Sequence, residues 1–198
     1  MNDLTIKQKE ILNVAIDLFY EKGYVETTIR VIADAMNLKP SSIYVHINSK
    51  EQIMEWLCDD IEKRFNINLE SFDDESLSLK DKFLKFIENH IFQTIYNYKQ
   101  YEVYYFRNFK MRRALNEGYE EKDKYHRNLA IYIMKLKEIC YRYLAELPVR
   151  SDVNLEITTG LFVSTSLNMY RWFPIETLGV NISAITIHDY LLNGILEK

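Results

Sequence analysis

Apolar residues recur every three to four positions along nearly the whole chain, which is the spacing of one buried helical face. The first such face is formed by Ile11, Val14, Ala15, Leu18 and Phe19. Lys22 and Gly23 follow it, and a cation before a glycine is typical of a helix C-terminus. The pattern therefore predicts a first helix that ends near residue 22.

Two short helices follow in the pattern. Thr27 and Thr28 offer an N-cap for a helix that runs to about Met36. Asn37 to Lys39 interrupts the pattern, and Pro40 suits the first turn of another helix, which covers about residues 41–46. Ser49 then predicts the cap of a longer helix that runs through Phe65. The sequence predicts two short helices joined by a turn.

The rest of the chain has the same character after an acidic, turn-prone linker at residues 71–78. Helical spacing predicts further helices at about 79–97, 101–109, 117–145, 152–172 and 183–196. The expected fold is all-α, with about nine helices. Residues 1–50 are expected to form one domain, 51–70 a connecting helix, and 79–198 a second domain.

Composition narrows the possible classes of protein. Hydrophobic residues make up 47% of the 198 residues and charged residues 27%, which is typical of a globular chain. The two cysteines are too few for a disulfide scaffold or a zinc module. The polar start lacks a secretory signal, and no apolar run approaches the length of a membrane helix. We expect a cytoplasmic protein without a membrane segment.

The charge distribution identifies one small basic surface. The net charge is −4, and residues 51–78 carry nine acidic and two basic side chains. A strongly basic domain, often seen in nucleic-acid-binding proteins, is therefore absent from the sequence. Residues 37–50, however, contain Lys39, His46 and Lys50 and no carboxylate. A basic surface of this size can lie within a neutral domain.

The order of helix, short helix, turn and short helix is that of a helix-turn-helix, whose second helix presents side chains to the major groove of DNA. Small side chains at Ser41 and Ser42 allow close approach to bases, and Tyr44 and Lys50 suit phosphate contact. The role of His46 has three alternatives: it contacts a base, contacts a phosphate, or only caps the helix. The predicted DNA-binding residues are Thr27, Thr28, Lys39, Ser41, Ser42, Tyr44, His46 and Lys50.

The N-terminal motif resembles the DNA-binding domain of the TetR family of bacterial regulators over about 45 residues. The features that match in order and spacing are Leu18-Phe19, Gly23-Tyr24, Thr28, Ile32-Ala33, Leu38 to Pro40, Ile43-Tyr44 and Ser49 to Glu51. Asn37 stands where the family usually has glycine, and Ile47 where it usually has phenylalanine. The resemblance implies a repressor that binds a near-palindromic operator.

Twelve of the fifteen tyrosines lie from Tyr96 onward. They can form a core, but many hydroxyls among apolar residues also suit a small-molecule site between helices. The resemblance points to the second use, because TetR proteins bind an effector in this region. The predicted effector pocket comprises Phe86, His90, Tyr101, Tyr104, Tyr105, Phe109, Tyr125, Phe162 and Met169.

The last two predicted helices suit a two-fold dimer interface. Gly160 and Ser164 would permit close helix approach, and apolar stripes run along both helices. The predicted interface comprises Leu161, Thr165, Asn168, Trp172, Ile185, Leu192 and Ile195. A monomer that buries these stripes internally is the alternative. Two recognition helices in one dimer would match the two half-sites of an operator.

The sequence is compatible with more than one chemical class of effector. Several positions in the C-terminal region, among them Arg171 to Pro174, occur in the same order as in the TetR branch that responds to fatty acids or acyl-CoA. This region is therefore similar to that branch, although each matching residue is a common one. Arg107, Lys110, Arg112 and Arg113 could bind a CoA headgroup or form a solvated helix face. A multidrug sensor would instead stack flat aromatic or cationic ligands on the tyrosines, with Glu102 as a possible counter-charge.

A helical lipid-binding module that does not bind DNA is a further alternative, although it leaves the N-terminal motif unexplained. No catalytic motif or metal-ligand spacing is present among the four histidines and two cysteines. We therefore expect a DNA-binding regulator that is not an enzyme and needs no cofactor. Its expected partners are double-stranded DNA, a small hydrophobic effector and a second copy of the chain.

Overall fold

A computed structural model of the chain describes residues 4–70, 72–105, 124–168 and 179–196, and these residues are helical apart from turns and one isolated bridge. The helices are α1 (Ile6–Lys22), α2 (Ile29–Ala35), α3 (Pro40–Tyr44), α4 (Lys50–Glu70), α5 (Leu79–Tyr96), α6 (residues 98–105), α7 (Lys124–Ala145), α8 (Leu155–Asn168) and α9 (Val180–Asn193). The predicted all-α class is confirmed. Predicted helix ends at 106–123 and 169–178 lie outside the described residues.

The chain forms two compact units. The N-terminal unit comprises Met1–Lys63 and Tyr98–Tyr125, and the C-terminal unit comprises Arg64–Asn97 and His126–Lys198. Helix α4 therefore runs from the first unit into the second. The predicted domain boundaries at residues 50, 70 and 79 differ from the boundaries of these units and stay a prediction.

The N-terminal unit has an aliphatic core to which α1, α2, α3 and the first part of α4 contribute. The fully buried side chains include Ile11, Ala15, Ile32, Ile43, Ile53 and Leu57. Helix α6 is attached to the surface of α1, where Lys99 forms an ion pair with Asp17 at 2.5 Å and Tyr98 packs edge-on against Tyr20. This core fixes the positions of the three N-terminal helices.

The C-terminal unit is built on α5, which packs against α8 and α9. Its buried face follows helical periodicity and comprises Phe83, Phe86, Ile87, His90, Ile91 and Thr94. The loop before α8 is tied to the end of α9 by a bridge between Val149 and Leu196 and by the Arg150 guanidinium, which donates to Asp152 and to the Gly194 carbonyl. The buried faces of α8 and α9 are thereby held on α5.

The described helix ends agree with the cap residues in the sequence. Gly23 has a positive φ of 84° and its amide donates to the Phe19 carbonyl, as a C-terminal cap requires. The Ser49 hydroxyl accepts from the Gln52 amide at the start of α4. None of the described helices is long and apolar enough to span a membrane.

Candidate nucleic-acid interface

Helices α2 and α3 are joined by a turn whose backbone depends on Asn37. Its φ of 55° is the one positive value outside glycine among the described residues. The Leu38 amide donates to the Ala33 carbonyl at 2.8 Å, and the Asn37 amide donates to the Asp34 carbonyl at 3.1 Å. These two bonds form a Schellman motif, which ends α2 and redirects the chain into α3. Asparagine tolerates this left-handed conformation better than most residues, as the sequence predicts.

Pro40 begins α3, where its fixed φ and missing amide hydrogen are tolerated. Val45 keeps right-handed helical angles after the last residue of α3, and the Ile47 amide still bonds to the Ile43 carbonyl at 3.2 Å. Helix α3 therefore ends at Tyr44, and a turn at residues 45–46 follows, with bonds from His46 and Ile47 to the Ile43 carbonyl. Ile43 and Ile47 are both buried, so they define the side of this segment that faces the core.

Most of the predicted DNA-binding residues lie on the outer surface of α2 and α3. Lys39, Ser41 and Tyr44 are exposed, while Ser42 and His46 are half-buried. Thr28 is exposed and caps α2, since its hydroxyl accepts from the Val31 amide at 3.2 Å. That hydroxyl can still donate its own proton outward. These six residues are therefore at least partly accessible to solvent.

His46 is anchored through its backbone. Its carbonyl accepts from Gln8 Nε2 at 3.0 Å, which ties the end of α3 to α1. The imidazole is half-buried.

The prediction that Thr27 binds DNA is wrong. Its side chain is fully buried, and its hydroxyl donates to the Gly23 carbonyl at 2.8 Å and to the Leu18 carbonyl at 3.2 Å. The threonine therefore holds the turn between α1 and α2 and cannot lie on a contact surface. A sequence pattern of two adjacent threonines does not distinguish the capping residue from the buried one.

Lys50 has a structural position that the sequence does not reveal. Its ammonium donates to the Tyr24 carbonyl at 2.7 Å and lies 4.1 Å from the centre of the Tyr24 ring. The Tyr24 hydroxyl in turn donates to Glu51 Oε1 at 3.1 Å. A backbone hydrogen bond lowers the pKa of Glu51, and hydrogen bonds from Ser49 and Tyr24 lower it further. Lys50 thus joins the α1–α2 turn to α4.

The residues predicted for the effector pocket are divided between the two units. Phe86 and His90 are buried and stacked in the C-terminal unit, with ring centres 5.9 Å apart, and Phe162 is buried in the same unit. Tyr101 and Tyr104 are buried in the N-terminal unit, where Tyr105 packs against both. Phe109, Met169 and the Tyr125 side chain, like Arg107, Lys110, Arg112 and Arg113, lie outside the described residues.

An aromatic cluster in the C-terminal unit was not anticipated from the sequence. The Tyr132 ring stacks on Phe65 with centres 4.2 Å apart and also approaches Phe86, at 6.2 Å. Phe83 lies against Phe162 and Tyr143 at 5.7 and 5.6 Å. These partners come from separate helices, so no local periodicity identifies them.

His188 lies in the same cluster and is bonded on both ring nitrogens. Nε2 lies 2.7 Å from the Tyr143 hydroxyl, and Nδ1 lies 2.8 Å from Asp189 Oδ1. A neutral ring that donates from Nδ1 and accepts at Nε2 satisfies both bonds. Burial lowers the pKa of His188, against the opposing effect of Asp189. Burial also raises the pKa of Tyr143 to about 12.

The predicted dimer residues take different positions. Leu161 and Ile185 are exposed, and Thr165, Asn168 and Ile195 are half-buried. The prediction that Leu192 lies in the dimer interface is wrong, because Leu192 is buried in the core of its own chain, one turn beyond His188. Trp172 lies outside the described residues. Exposed Ile157 and Tyr190 extend the apolar surfaces of α8 and α9 beyond the predicted set.

Metal and nucleophile chemistry has little support. Among the residues that the structure describes, no three His, Cys, Asp or Glu side chains are grouped to hold a metal ion. Both cysteines are buried, and burial raises the pKa of Cys140 to about 12, which disfavours the reactive thiolate.

The N-terminal unit matches a known protein family. Residues 11–57 match the family described as bacterial regulatory proteins, tetR family. A stretch of 46 residues is 48% identical to the biofilm operon icaADBC HTH-type negative transcriptional regulator IcaR of Staphylococcus aureus (strain Newman), covering 23% of this chain. The match spans only 25% of that relative's length.

Solved structures share the fold over nearly the whole chain. The ketosteroid transcriptional regulator KstR2 of Mycobacterium tuberculosis is similar with a TM-score of 0.73 and 17% identity, covering 100% of this chain and 97% of that one. The fatty acid degradation regulator FadR from Bacillus halodurans is similar with a TM-score of 0.61 and 16% identity, covering 98% of each chain. At these identities the similarity shows the fold alone.

Proposed function

We propose that the chain is a member of the tetR family of bacterial regulatory proteins, which residues 11–57 match, and that it is a transcriptional repressor that binds operator DNA as a homodimer and is released by a small hydrophobic effector. The observation that carries the proposal is the surface of α2 and α3. A left-handed turn at Asn37 joins the two helices, and Thr28, Lys39, Ser41 and Tyr44 are all exposed on them or at their caps. The proteins that this chain matches are named as transcriptional regulators.

The surface suits contact with a DNA duplex in two ways. The short side chains of Ser41 and Ser42 allow α3 to approach base edges, and hydroxyl groups bond to several bases and to phosphates. Lys39 and Tyr44 lie where phosphates would flank an inserted helix. Residues 37–50 contain no carboxylate, so this part of the surface does not repel the DNA backbone.

A homodimer follows from the requirements of DNA binding and from the exposed apolar residues of α8 and α9. Leu161 and Ile157 lie one turn apart on α8, and Ile185 and Tyr190 are exposed on α9. Pairing of this hairpin with its two-fold copy would bury those side chains in a four-helix interface. Two copies of α3 would then address the two halves of a near-palindromic site.

The proposed effector is a small, mainly apolar molecule that binds in the helical region after residue 79. Support comes from the buried aromatic residues of the C-terminal unit, with His90 as a polar group among them. Helix α4 continues from the N-terminal unit into the C-terminal unit, so a shift at its end can be transmitted to the DNA-binding helices. A nearly complete switch needs about a 10⁴-fold difference in effector affinity between the two states.

The test is fluorescence anisotropy of a labelled duplex taken from immediately upstream of the gene, titrated with the protein and then with acyl-CoA thioesters of graded chain length. Ser41→Glu should abolish binding, because it places a carboxylate on the proposed groove surface. Asn13→Glu adds the same charge at an exposed residue of α1, and this variant should bind the duplex normally.

Release that depends on chain length supports an acyl effector. Release by flat aromatic cations instead supports the multidrug alternative. Equal binding by the Ser41 and Asn13 variants would contradict the proposed interface. A wild-type protein that binds no duplex would leave the helical lipid-binding alternative.

A further inference from the structure

Val45 is the most exposed apolar side chain of the helix-turn-helix, with 78% of its surface accessible. We infer that Val45 is a specificity-determining residue that contacts the C5-methyl group of a thymine in the major groove. The inference rests on the proposed function, because it assigns a role to one side chain within the proposed DNA interface.

The position of Val45 around the helix carries the inference. Ile43 and Ile47 are buried on the core side, and successive residues of a helix are about 100° apart. Val45, which keeps right-handed helical angles, is therefore about 200° away from Ile43 around the helix axis, on the side opposite the core. Ser41 lies one turn earlier on the same outward ridge, with Tyr44 and His46 on its flanks.

The order of side chains on this surface matches a groove. The outward ridge of Ser41 and Val45 would face the floor, where base edges lie, and the flanking Tyr44 and His46 would face the phosphate walls. Packing within the chain does not explain why a valine stands at position 45, because a side chain on the side opposite the core adds little to that core. Valine is also a poor helix former, so local helix stability does not favour it at an exposed site.

The chemistry of valine selects one type of base-pair edge. Its side chain has no donor or acceptor and cannot bond to the N7, O6, N6, N4 or O4 groups that bases present in the major groove. The C5-methyl of thymine is the apolar group available there. Contact between the valine side chain and this methyl group removes both groups from water, which is favourable. The contact would favour thymine over cytosine at one position of each half-site.

The experiment begins with selection of duplexes from a random DNA library by the full-length wild-type protein and by Val45→Ala. A matched control is Val25→Ala, since Val25 is 73% exposed in the same unit but lies in the turn before α2. Wild type and Val25→Ala should enrich the same half-site. Val45→Ala should lose its preference for thymine at one position and keep the other positions.

The second step replaces that thymine with deoxyuridine, which differs only by the missing methyl group. Wild type and Val25→Ala should bind the substituted half-site about four-fold more weakly, as expected for one buried methyl group. Val45→Ala should bind the two duplexes equally. This comparison separates loss of the methyl contact from a general loss of affinity.

Two results would overturn the inference while leaving the proposed function in place. The first is wild-type binding that is insensitive to deoxyuridine at every thymine of the selected site. The second is a deoxyuridine penalty of the same size in wild type and Val45→Ala. Selection of no sequence by the wild-type protein would overturn the proposed function itself and the inference with it.

Discussion

At the scale of single residues, environment decides the role of chemically identical side chains. Lys39 and Lys50 both lie in the carboxylate-free stretch and both suit phosphate contact by sequence. Lys39 is exposed at the start of α3, whereas the Lys50 ammonium is bonded to the Tyr24 carbonyl and lies over the Tyr24 ring. The two lysines are therefore expected to contribute to different properties of the protein.

Lys39→Ala should leave stability unchanged and weaken binding to all duplexes. The slope of log affinity against log salt should fall by about one for each Lys39 in the complex, since each phosphate contact releases about one counterion. Anisotropy titrations between low and high salt measure this slope. An unchanged slope would exclude Lys39 from phosphate contact.

Lys50→Ala should instead lower the free energy of unfolding by about 1 kcal/mol, because it removes a hydrogen bond from a charged group and a cation–π contact. Urea unfolding followed by circular dichroism measures the change. Lys22→Ala, which alters an exposed lysine in the last turn of α1, serves as the control. Equal stability of the two variants would argue against a structural role for Lys50.

His188 should make stability depend on pH near neutrality. Its pKa in the folded chain is lowered below 6.5 by burial, so the unfolded chain binds the proton more tightly. This contribution to stability is complete above the unfolded pKa and is lost as the pH falls below it, by at most about 1.4 kcal/mol per pH unit. The charged or titratable groups that act on His188 or its Tyr143 partner include Asp189, Lys80, Asp81 and Cys140.

His188→Gln keeps an acceptor for the Tyr143 hydroxyl and removes the titration. The variant should be less stable at pH 7.5 but should lose less stability between pH 7.5 and 5.5 than wild type does. Urea unfolding at several pH values provides the comparison. Parallel pH profiles for the two proteins would show that His188 does not titrate in this way.

At the scale of elements, the turn between α2 and α3 depends on one backbone conformation. Asn37→Ala should lower the free energy of unfolding by about 1 kcal/mol, because alanine pays the steric penalty of a positive φ. Asn37→Gly should stay within about 0.5 kcal/mol of wild type, because glycine adopts this conformation without strain. Urea unfolding of the three proteins tests the order, and an alanine variant as stable as the glycine variant would contradict it.

Much of the N-terminal architecture could be predicted from sequence because its signals are local. Gly23, Asn37 and Pro40 each determine the backbone at their own position, and the apolar spacing identifies the buried face. Thr27 and Leu192 could not be assigned correctly in the same way, because their roles depend on the Gly23 and Leu18 carbonyls and on the chain's own core. The contacts of Lys50 with Tyr24 were equally unpredictable, and its role in phosphate contact stays a prediction.

The C-terminal unit was less predictable for the same reason. Helical spacing identified the buried face of α5 but not the partners of Phe65, Tyr132 and Tyr143, which lie on other helices. Aromatic residues at helical spacing suit a core and a ligand site equally well. The effector class therefore stays a proposal that only ligand binding tests.

At the scale of the whole molecule, the proposed dimer depends on exposed apolar residues of α8 and α9. Leu161→Glu should shift the protein toward a monomer, because Leu161 is 59% exposed in the single chain and would be buried between charged copies. Met134→Glu provides the control, since Met134 is 68% exposed on α7. Sedimentation equilibrium measures the change, and a dimer that survives Leu161→Glu but not Met134→Glu would place the interface elsewhere.

The central claim is that two copies of α3 bind two successive major-groove sites on one face of a duplex. Hydroxyl-radical footprinting of the full-length protein on its selected duplex tests this most directly. We expect two protected segments related by two-fold symmetry, separated by one helical turn of about 10 base pairs or a multiple of it, and lost together in Ser41→Glu. A single protected segment, or a footprint that Ser41→Glu leaves unchanged, would contradict it.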